Sequence, residues 1–386
     1  MVSIPVARVC ADLLELLGGV TDGRSGQGRD HPVSVVLALA AAAVVAGMSG
    51  YTAITGWVSD VPAEVLADLY LRAGALPAGP PSKTTIWRVL TDADAEAFDA
   101  VMGQWLSGLA GFTTESAAGD GGDVPGFVQV RLDGKTIRGA KDAQGNQTHL
   151  LAALVGPHAA TSVVAAQAEV GAKTNEVPMA ADVLGQIDLN GKIVTADAVH
   201  TVKATAEHIH ERGGQFVLPV KENRRALFDA LAWKEAPIAH CGTDKGHGRV
   251  TTRTIQVLPA PPDLPFPNVN QVFLVERYVS DLRGRPISAL AALGVASPEP
   301  SQASPAELAR YVREQWSIES LHWIRDTLYQ EDKSQIRTRS GPRIMAALRN
   351  LAIGALRLAG RTDITEATRW AARRMDRPFT ILGLTP

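Results

Sequence analysis

The hydrophobic rhythm of the chain changes twice. Up to residue 112 apolar positions recur at helical spacing, in Ala-, Leu- and Val-rich segments at 33–47, 62–74 and 94–109. Gly and Pro clusters such as GALPAGPPS at 74–82 separate them. The most apolar run, VSVVLALAAAAVVAG at 33–47, is shorter than the ~20 residues that span a bilayer and predicts a buried helix. Its position well inside the chain also excludes a signal peptide. SKTTIWRVLTDAD at 82–94 predicts a short helix with Lys83 and Arg88 exposed, either structural or the recognition helix of a helix-turn-helix. TTESAAGDGGDVPG at 113–126 is small, polar and glycine-rich, and reads as a linker.

After the linker the pattern becomes that of strands. FVQVRL (127–132), HLLAALVG (149–156) and TSVVAAQAEV (161–170) are short, β-branched and bounded by turn residues, with an open hairpin loop at 140–147. Then come a helix at 175–187, a strand KIVTAD at 192–197, a helix at 202–213 and a strand QFVLPV at 215–220. This order predicts an α/β core that is not symmetrically doubly wound. From 224 to 304 the alternation breaks, and strands at 250–258, 271–279 and 286–295 predict a β-rich insertion. SPAE at 304–307 is a capping box, and the helix it starts is expected to run unbroken through ELARYVREQWSIESLHWIRDTLY. The expected domains are a small all-helical N-terminal domain (1–112), the linker (113–126), a core (127–223 and 305–360) holding the insertion (224–304), and a basic C-terminal tail (361–386).

Composition changes this picture little. Of 386 residues 46% are apolar, ordinary for a globular protein. Two cysteines, Cys10 and Cys241, exclude a disulfide framework and a cysteine-rich zinc site, and suit a reducing cytoplasm. Net charge is only −2, but its distribution is uneven. Residues 333–386 carry 11 Lys and Arg against 3 Asp and Glu, whereas 1–110 carry 6 against 11. The basic end is a candidate polyanion surface, or the solvated face of an amphipathic helical segment.

Two aspartates stand out by position, since Asp133 and Asp197 each end a strand of the same expected sheet. On neighbouring strands their like charges repel unless a cation lies between them, and oxygen-only ligands suit Mg²⁺ or Mn²⁺. A pair of such ions activates water or a 3′-hydroxyl against a phosphodiester. Glu314, Glu319 and Asp326 are available as a third carboxylate. On a continuous helix Gln315, Glu319, His322 and Asp326 share one face, and the flanking Trp316 and Trp323 predict that it lies half-buried against the sheet. Lys135 and Arg138, just after Asp133, would then meet phosphates. The competing reading is that these are turn-forming aspartates at strand ends.

LDGKTIRG (132–139), TADAVHT (195–201), WSIESLHW (316–323) and ALRNLAIG (347–354) resemble, in this order, the ISAs-type family of bacterial insertion-sequence transposases. DHPVSVVLALAAAAVVAGMSGYTAITGW at 30–57 resembles the helical region that accompanies that core. The resemblance implies an RNase H-like mixed sheet with an insertion before the last acidic residue, and a catalytic, metal-holding triad of Asp133, Asp197 and Glu319. It implies metal-dependent cutting at element ends, attack of the freed 3′-hydroxyls on target DNA, and a homodimer in the synaptic complex. KTNE (173–176), Lys221 and Asn223 in the turn after 220, and His322 become candidate DNA-contacting or supporting residues, and Arg337, Arg339, Arg343 and Arg349 candidate phosphate contacts. The chain departs from the Y-x-x-R-x-x-x-E-x-x-x-x-x-x-K signature of related transposases, with Val312, Gln315 and Asp326 at the Tyr, Arg and Lys positions. Arg313 and Arg325 are neighbouring candidates to replace them. A domesticated DNA binder, or an RNase H-like nuclease that cuts without joining, would carry the same residues.

Overall fold

A computed structural model describes residues 11–26, 29–112, 126–171, 176–231, 233, 236–246 and 248–385. All but the last residue of the expected linker lie outside the described residues, as do Lys173, Thr174 and Asn175. The chain divides into two compact units: Met1–Gly111, Gly134–Asn175 and Glu319–Pro386 form the first, Phe112–Asp133 and Glu176–Ile318 the second.

The first unit contains helices α1 (Leu13–Gly18), α2 (Val33–Val45), α3 (Tyr51–Ser59), α4 (Ala63–Arg72), α5 (Lys83–Asp92) and α6 (Ala95–Ala110). The apolar run becomes α2, in which every residue from Ser34 to Val45 is buried, so it forms a core helix as its composition predicts. The cap residues of α6 are equally direct: the Asp94 carboxylate accepts from the Glu96 and Ala97 amides, and Gly111 ends the helix in the left-handed region at φ 53°. Strand β1 (Val128–Lys141) enters this unit at Gly134 and forms a hairpin with β2 (Gln147–Gly156), which pairs antiparallel with β3 (Val163–Val170). Near the C-terminus, α11 (Ser317–Thr327), which joins the unit from Glu319, precedes α12 (Gly341–Leu358), which packs on α2, α5, α6 and β3. The segment expected as a basic tail contains α13 (Ile364–Ala372) and α14 (Asp376–Ile381). Among the described residues no helix is long and apolar enough to cross a membrane.

The second unit starts with the first part of β1. Helix α7 (Glu176–Gly185), strand β4 (Lys192–Ala196), helix α8 (Lys203–Glu211) and strand β5 (Gln215–Val220) follow. Strands β1, β4 and β5 are parallel neighbours, as helical crossovers require. After α9 (Arg225–Leu231) come β6 (His240–Gly246), β7 (Arg249–Pro259), β8 (Gln271–Asp281) and β9 (Pro286–Ala296). The β-rich insertion extends the core sheet itself, because β9 pairs antiparallel with β5 and the order continues β9-β8-β7-β6. Nine described strands thus form a mixed sheet, and the order β3-β2-β1-β4-β5 is the RNase H-like one. Strand β6, sequence HCGTDKG, has no apolar alternation to reveal it, and its backbone pairing with β7 makes it a strand.

Expectations fail at two points. The first strand does not end at Asp133 but runs through it to Lys141, because it stays paired with β2 in the hairpin. The capping box forms as predicted, with Ser304 and Glu307 closing it, but the helix breaks. Helix α10 spans only Pro305–Glu314, and α11 restarts at Ser317. In an unbroken helix the Glu314 carbonyl would accept from the Ile318 amide. Here it accepts from Arg131 Nε at 3.0 Å, and the Ile318 amide turns to the Gln315 carbonyl at 3.3 Å. The break ends the continuous helix on which Gln315 would share a face with Glu319, His322 and Asp326. Nor is that face flanked as expected, since Trp316 and Trp323 are 57% and 65% exposed.

Candidate active site

Leu132 of β1 and Ala196 of β4 are parallel register partners, and the next residues are Asp133 and Asp197. The two aspartates therefore follow one another across adjacent strands at the point where β4 ends. Val128, Val130 and Leu132, and Ile193, Val194 and Ala196, are all buried before them; β4 stops at Ala196, whereas β1 continues through Asp133 to Lys141.

The residues after Asp197 hold its turn. Its carboxylate accepts from the Ala198 amide and caps a 3-10 turn, Ala198–His200. His200 is buried with Nε2 3.2 Å from Glu176 Oε2, and the Thr201 hydroxyl donates to the Pro219 carbonyl at 2.6 Å. The TADAVHT motif thus fastens the end of β4 to α7 and β5. Lys221, just beyond β5, places Nζ 3.1 Å from Asp197 Oδ1, and both side chains are more than half exposed. Asn223, in the following turn, is also exposed.

Behind the strand ends lies a layer of polar contacts. The Gln129 side-chain amide donates to Thr195 Oγ1 and to the Tyr311 carbonyl, both at 2.8 Å. Thr195 Oγ1 donates to Gln315 Oε1 at 2.5 Å, and Gln315 Nε2 donates to the Leu132 carbonyl at 3.0 Å. Arg131 is fully buried and reaches Glu314 Oε2 at 2.5 Å. Burial lowers its pKa to about 10, against the pull of Glu314, so it stays charged at neutral pH. The Gln315 and Arg131 contacts join strands to a distant helix, and no local sequence pattern announces them.

In the first unit, Lys135 is buried, with Nζ 2.7 Å from Asp326 Oδ2 and 3.5 Å from Asp332 Oδ1. Arg138 is 79% exposed and reaches Asp332 Oδ2 at 3.3 Å. The basic residues that follow Asp133 are thus balanced by two carboxylates of the C-terminal segment. Gly139 ends this motif because the chain at 332–334 crosses it closely. A Cβ there would lie 2.1 Å from the Ser334 carbonyl oxygen and 2.9 Å from that of Asp332, both backbone atoms. Gly139→Ala is therefore expected to destabilise the fold by about 1–3 kcal/mol, read as a lower midpoint in chemical denaturation. An unchanged midpoint would show that this crossing yields at no cost.

Glu319 lies in the first turn of α11, where the helix dipole favours a carboxylate, and it is exposed. His322 is buried. Burial first, then Arg325 and Lys135, lower its pKa to about 3, so it is a neutral imidazole at neutral pH. Arg325 is buried on Glu331 at 2.8 Å, and Arg349 reaches the same carboxylate at 2.8 Å. Asn350 Oδ1 accepts from Arg325 at 3.2 Å, and its amide donates to Gln167 at 3.0 Å. Gln167 donates to Asp99 at 2.7 Å, and Asp99 pairs with Arg343 at 2.6 Å. The ALRNLAIG motif thus supplies the middle of a buried polar chain. Arg339 pairs with Asp92 at 2.6 Å, and Arg337 donates to the Gly139 carbonyl at 3.0 Å, both side chains reaching solvent.

Among the described residues no three or more His, Cys, Asp or Glu are gathered closely enough to hold a metal. Asp133 and Asp197 carry carboxylate oxygens of the kind a hard divalent cation takes.

The Transposase DDE domain family matches residues 128–354, and its associated N-terminal region matches residues 14–106. The first match covers more than half of the chain and includes Asp133, Asp197 and Glu319. The chain belongs to the DDE transposase family. It is 33% identical, over 59% of its own length and 73% of the other's, to an "Uncharacterized protein in dhlA 3'region" of Xanthobacter autotrophicus. It is 26% identical to the "Putative transposase YncI" of Escherichia coli O157:H7, over 89% and 87% of the two chains. It is also 26% identical to the "H repeat-associated putative transposase YhhI" of Escherichia coli K12, over 89% and 90%. The ISAs-type resemblance of the four motifs agrees with this family membership. In this DDE transposase the helical region 13–110 precedes the matched domain in the chain.

Proposed function

We propose that this transposase cuts DNA at the ends of an insertion sequence and joins the freed 3′-hydroxyls to target DNA. Asp133, Asp197 and Glu319 would be its catalytic carboxylates and would hold Mg²⁺ or Mn²⁺, two ions in all. The observation that carries the reading is the register: in a chain of this family, Leu132 and Ala196 are parallel partners, and the residue after each is an aspartate. Divalent ions held by these carboxylates polarise a phosphodiester and activate water or a 3′-hydroxyl for in-line attack. Lys221 is suited to a DNA phosphate, because its pair with Asp197 is exposed and such pairs are worth under about 1 kcal/mol. The exposed Arg138 and Asn223, and the solvent-reaching Arg337 and Arg339, offer further sequence-independent backbone contacts. Synapsis of two element ends implies two copies of the chain, working on the bacterial nucleoid in the cytoplasm.

The test is strand cleavage and joining on a labelled duplex from the element's own end, with Mg²⁺ or Mn²⁺. End cleavage and strand transfer are expected, and both should be absent from Asp133→Ala and Glu319→Ala. Metal-dependent cutting without joining would replace the reading with a nuclease. DNA binding without cutting in either metal would leave a domesticated binder.

A further inference from the structure

Adjacent aspartates on neighbouring strands raise a mechanical problem. The β1–β4 register ends at Leu132 and Ala196, the residues just before two carboxylates of like charge, and β4 itself stops there. Charge repulsion there favours splaying of the ends. Something must hold the strands together from behind.

We infer that Gln315 is the residue that does so, a positioning residue that clamps β1 to the end of β4 and fixes the spacing of Asp133 and Asp197. This inference rests on the proposed metal-holding role of the two aspartates. Gln315 Nε2 donates to the carbonyl of Leu132, the residue before Asp133. Gln315 Oε1 accepts from the hydroxyl of Thr195, two residues before Asp197. One planar amide therefore bridges both strands, each contact within two residues of a carboxylate. A carboxamide is suited to the task because it is uncharged, donates from nitrogen and accepts at oxygen at the same time. Glutamate in its place would present no donor to the Leu132 carbonyl and would add a third negative charge.

Gln315 is itself held from both sides. The Thr195 hydroxyl that it receives is oriented by Gln129, which also binds the Tyr311 carbonyl of α10. Glu314, its chain neighbour, is anchored on buried Arg131 through both its carboxylate and its carbonyl. The interruption between α10 and α11 follows from this anchoring, and it turns Gln315 onto the strands. The helix break is thus the local cost of placing the clamp.

The experiment compares the full-length wild type with Gln315→Met, Thr195→Val, Thr195→Ser and Asp133→Ala. Methionine and valine keep the volume and remove the hydrogen bonds, whereas serine restores the hydroxyl. The first readout is amide hydrogen exchange without metal. Peptides covering 128–136 and 192–200 should exchange about 10-fold faster in Gln315→Met and Thr195→Val, with Thr195→Ser returning towards the wild type and the rest of the chain unchanged. Unchanged exchange in those peptides would overturn the clamp, whatever the metal does. The second readout is Mn²⁺ binding without DNA, by calorimetry or electron paramagnetic resonance. Residues that orient metal ligands from behind typically change affinity by about 10- to 100-fold, and a loss of at least about 10-fold is expected for Gln315→Met. Faster exchange with wild-type Mn²⁺ affinity would overturn the positioning role and leave a structural bond. If Asp133→Ala binds Mn²⁺ as tightly as the wild type, the metal-ligand reading fails, and positioning for metal fails with it. The exchange data would still decide separately whether Gln315 clamps the strands.

Discussion

Asp197→Asn should abolish strand cleavage while leaving the fold almost as stable as the wild type. The argument starts from what Asp197 does for the fold, which is little. Its carboxylate caps a single 3-10 turn and meets one exposed lysine. Asparagine keeps the cap oxygen for the Ala198 amide, and loss of an exposed ion pair costs under about 1 kcal/mol. What asparagine removes is the negative charge. If that charge holds a catalytic cation, the loss falls on the transition state, where a metal ion contributes several kcal/mol. Four kcal/mol is about a 10³-fold loss of rate, and this is the least expected for Asp197→Asn and for Asp133→Ala. The check is single-turnover cleavage of an end duplex in Mg²⁺, with denaturation midpoints measured on the same preparations. Cleavage within about 10-fold of the wild type in Asp197→Asn would remove the residue from the chemistry.

Glu331→Gln should have the opposite profile, with a large loss of stability. Glu331 is completely buried between Arg325 and Arg349, each at 2.8 Å. Burial alone would raise its pKa, but the two guanidiniums outweigh burial and hold it at about 2. A neutral amide would leave two buried cations uncompensated, which costs roughly 3–5 kcal/mol. The pH dependence has a definite sign. The folded pKa of about 2 lies below the ordinary value of 4.5, so the unfolded chain binds the proton first as pH falls. The stabilisation from Glu331 is therefore complete above about pH 4.5 and is lost as pH falls through that value towards 2. Urea denaturation from pH 7 to pH 3 should show this acid limb in the wild type, reduced in Glu331→Gln. Equal stability of the two proteins at pH 7 would mean that Arg325 and Arg349 find other partners when the charge is removed.

The family motifs themselves hold residues of different kinds. WSIESLHW and ALRNLAIG resemble the same family, yet the structure gives their members different work. Asn350 lies inside a buried polar chain and Arg349 beside it on Glu331, and Arg325, a candidate DNA contact by position, is buried in the same group. A basic residue on a helix looks the same in sequence whether it faces solvent or a buried carboxylate. The uneven charge of the C-terminal segment is similarly ambiguous. Arg339 reaches solvent but pairs with Asp92, and Arg343 pairs with buried Asp99. Their acidic partners lie more than 200 residues earlier in the chain.

The sequence by itself determined the elements with strong local signatures. The apolar run of α2, the capping box of α10, the β-branched strands β2 to β5 and the glycine-bounded helices between them form where periodicity and caps place them. Short-range physics is enough there, because burial period, cap chemistry and turn residues all act within a few positions. It also placed Asp197 just after a strand, since β4 stops where the chain turns polar, whereas β1 runs on through Asp133 to Lys141. Tertiary structure alone decided four things. Pairing with β7 made a strand of polar β6, and pairing of β9 with β5 joined the insertion to the core sheet. Arg131 took the Glu314 carbonyl and broke a helix whose local sequence favours continuing. Gln315 then bridged Leu132 and Thr195. Except in the β6–β7 hairpin, the deciding bond joins residues far apart in the chain, and a hydrogen bond to a distant partner leaves no period, cap or turn in the sequence from which it could be read.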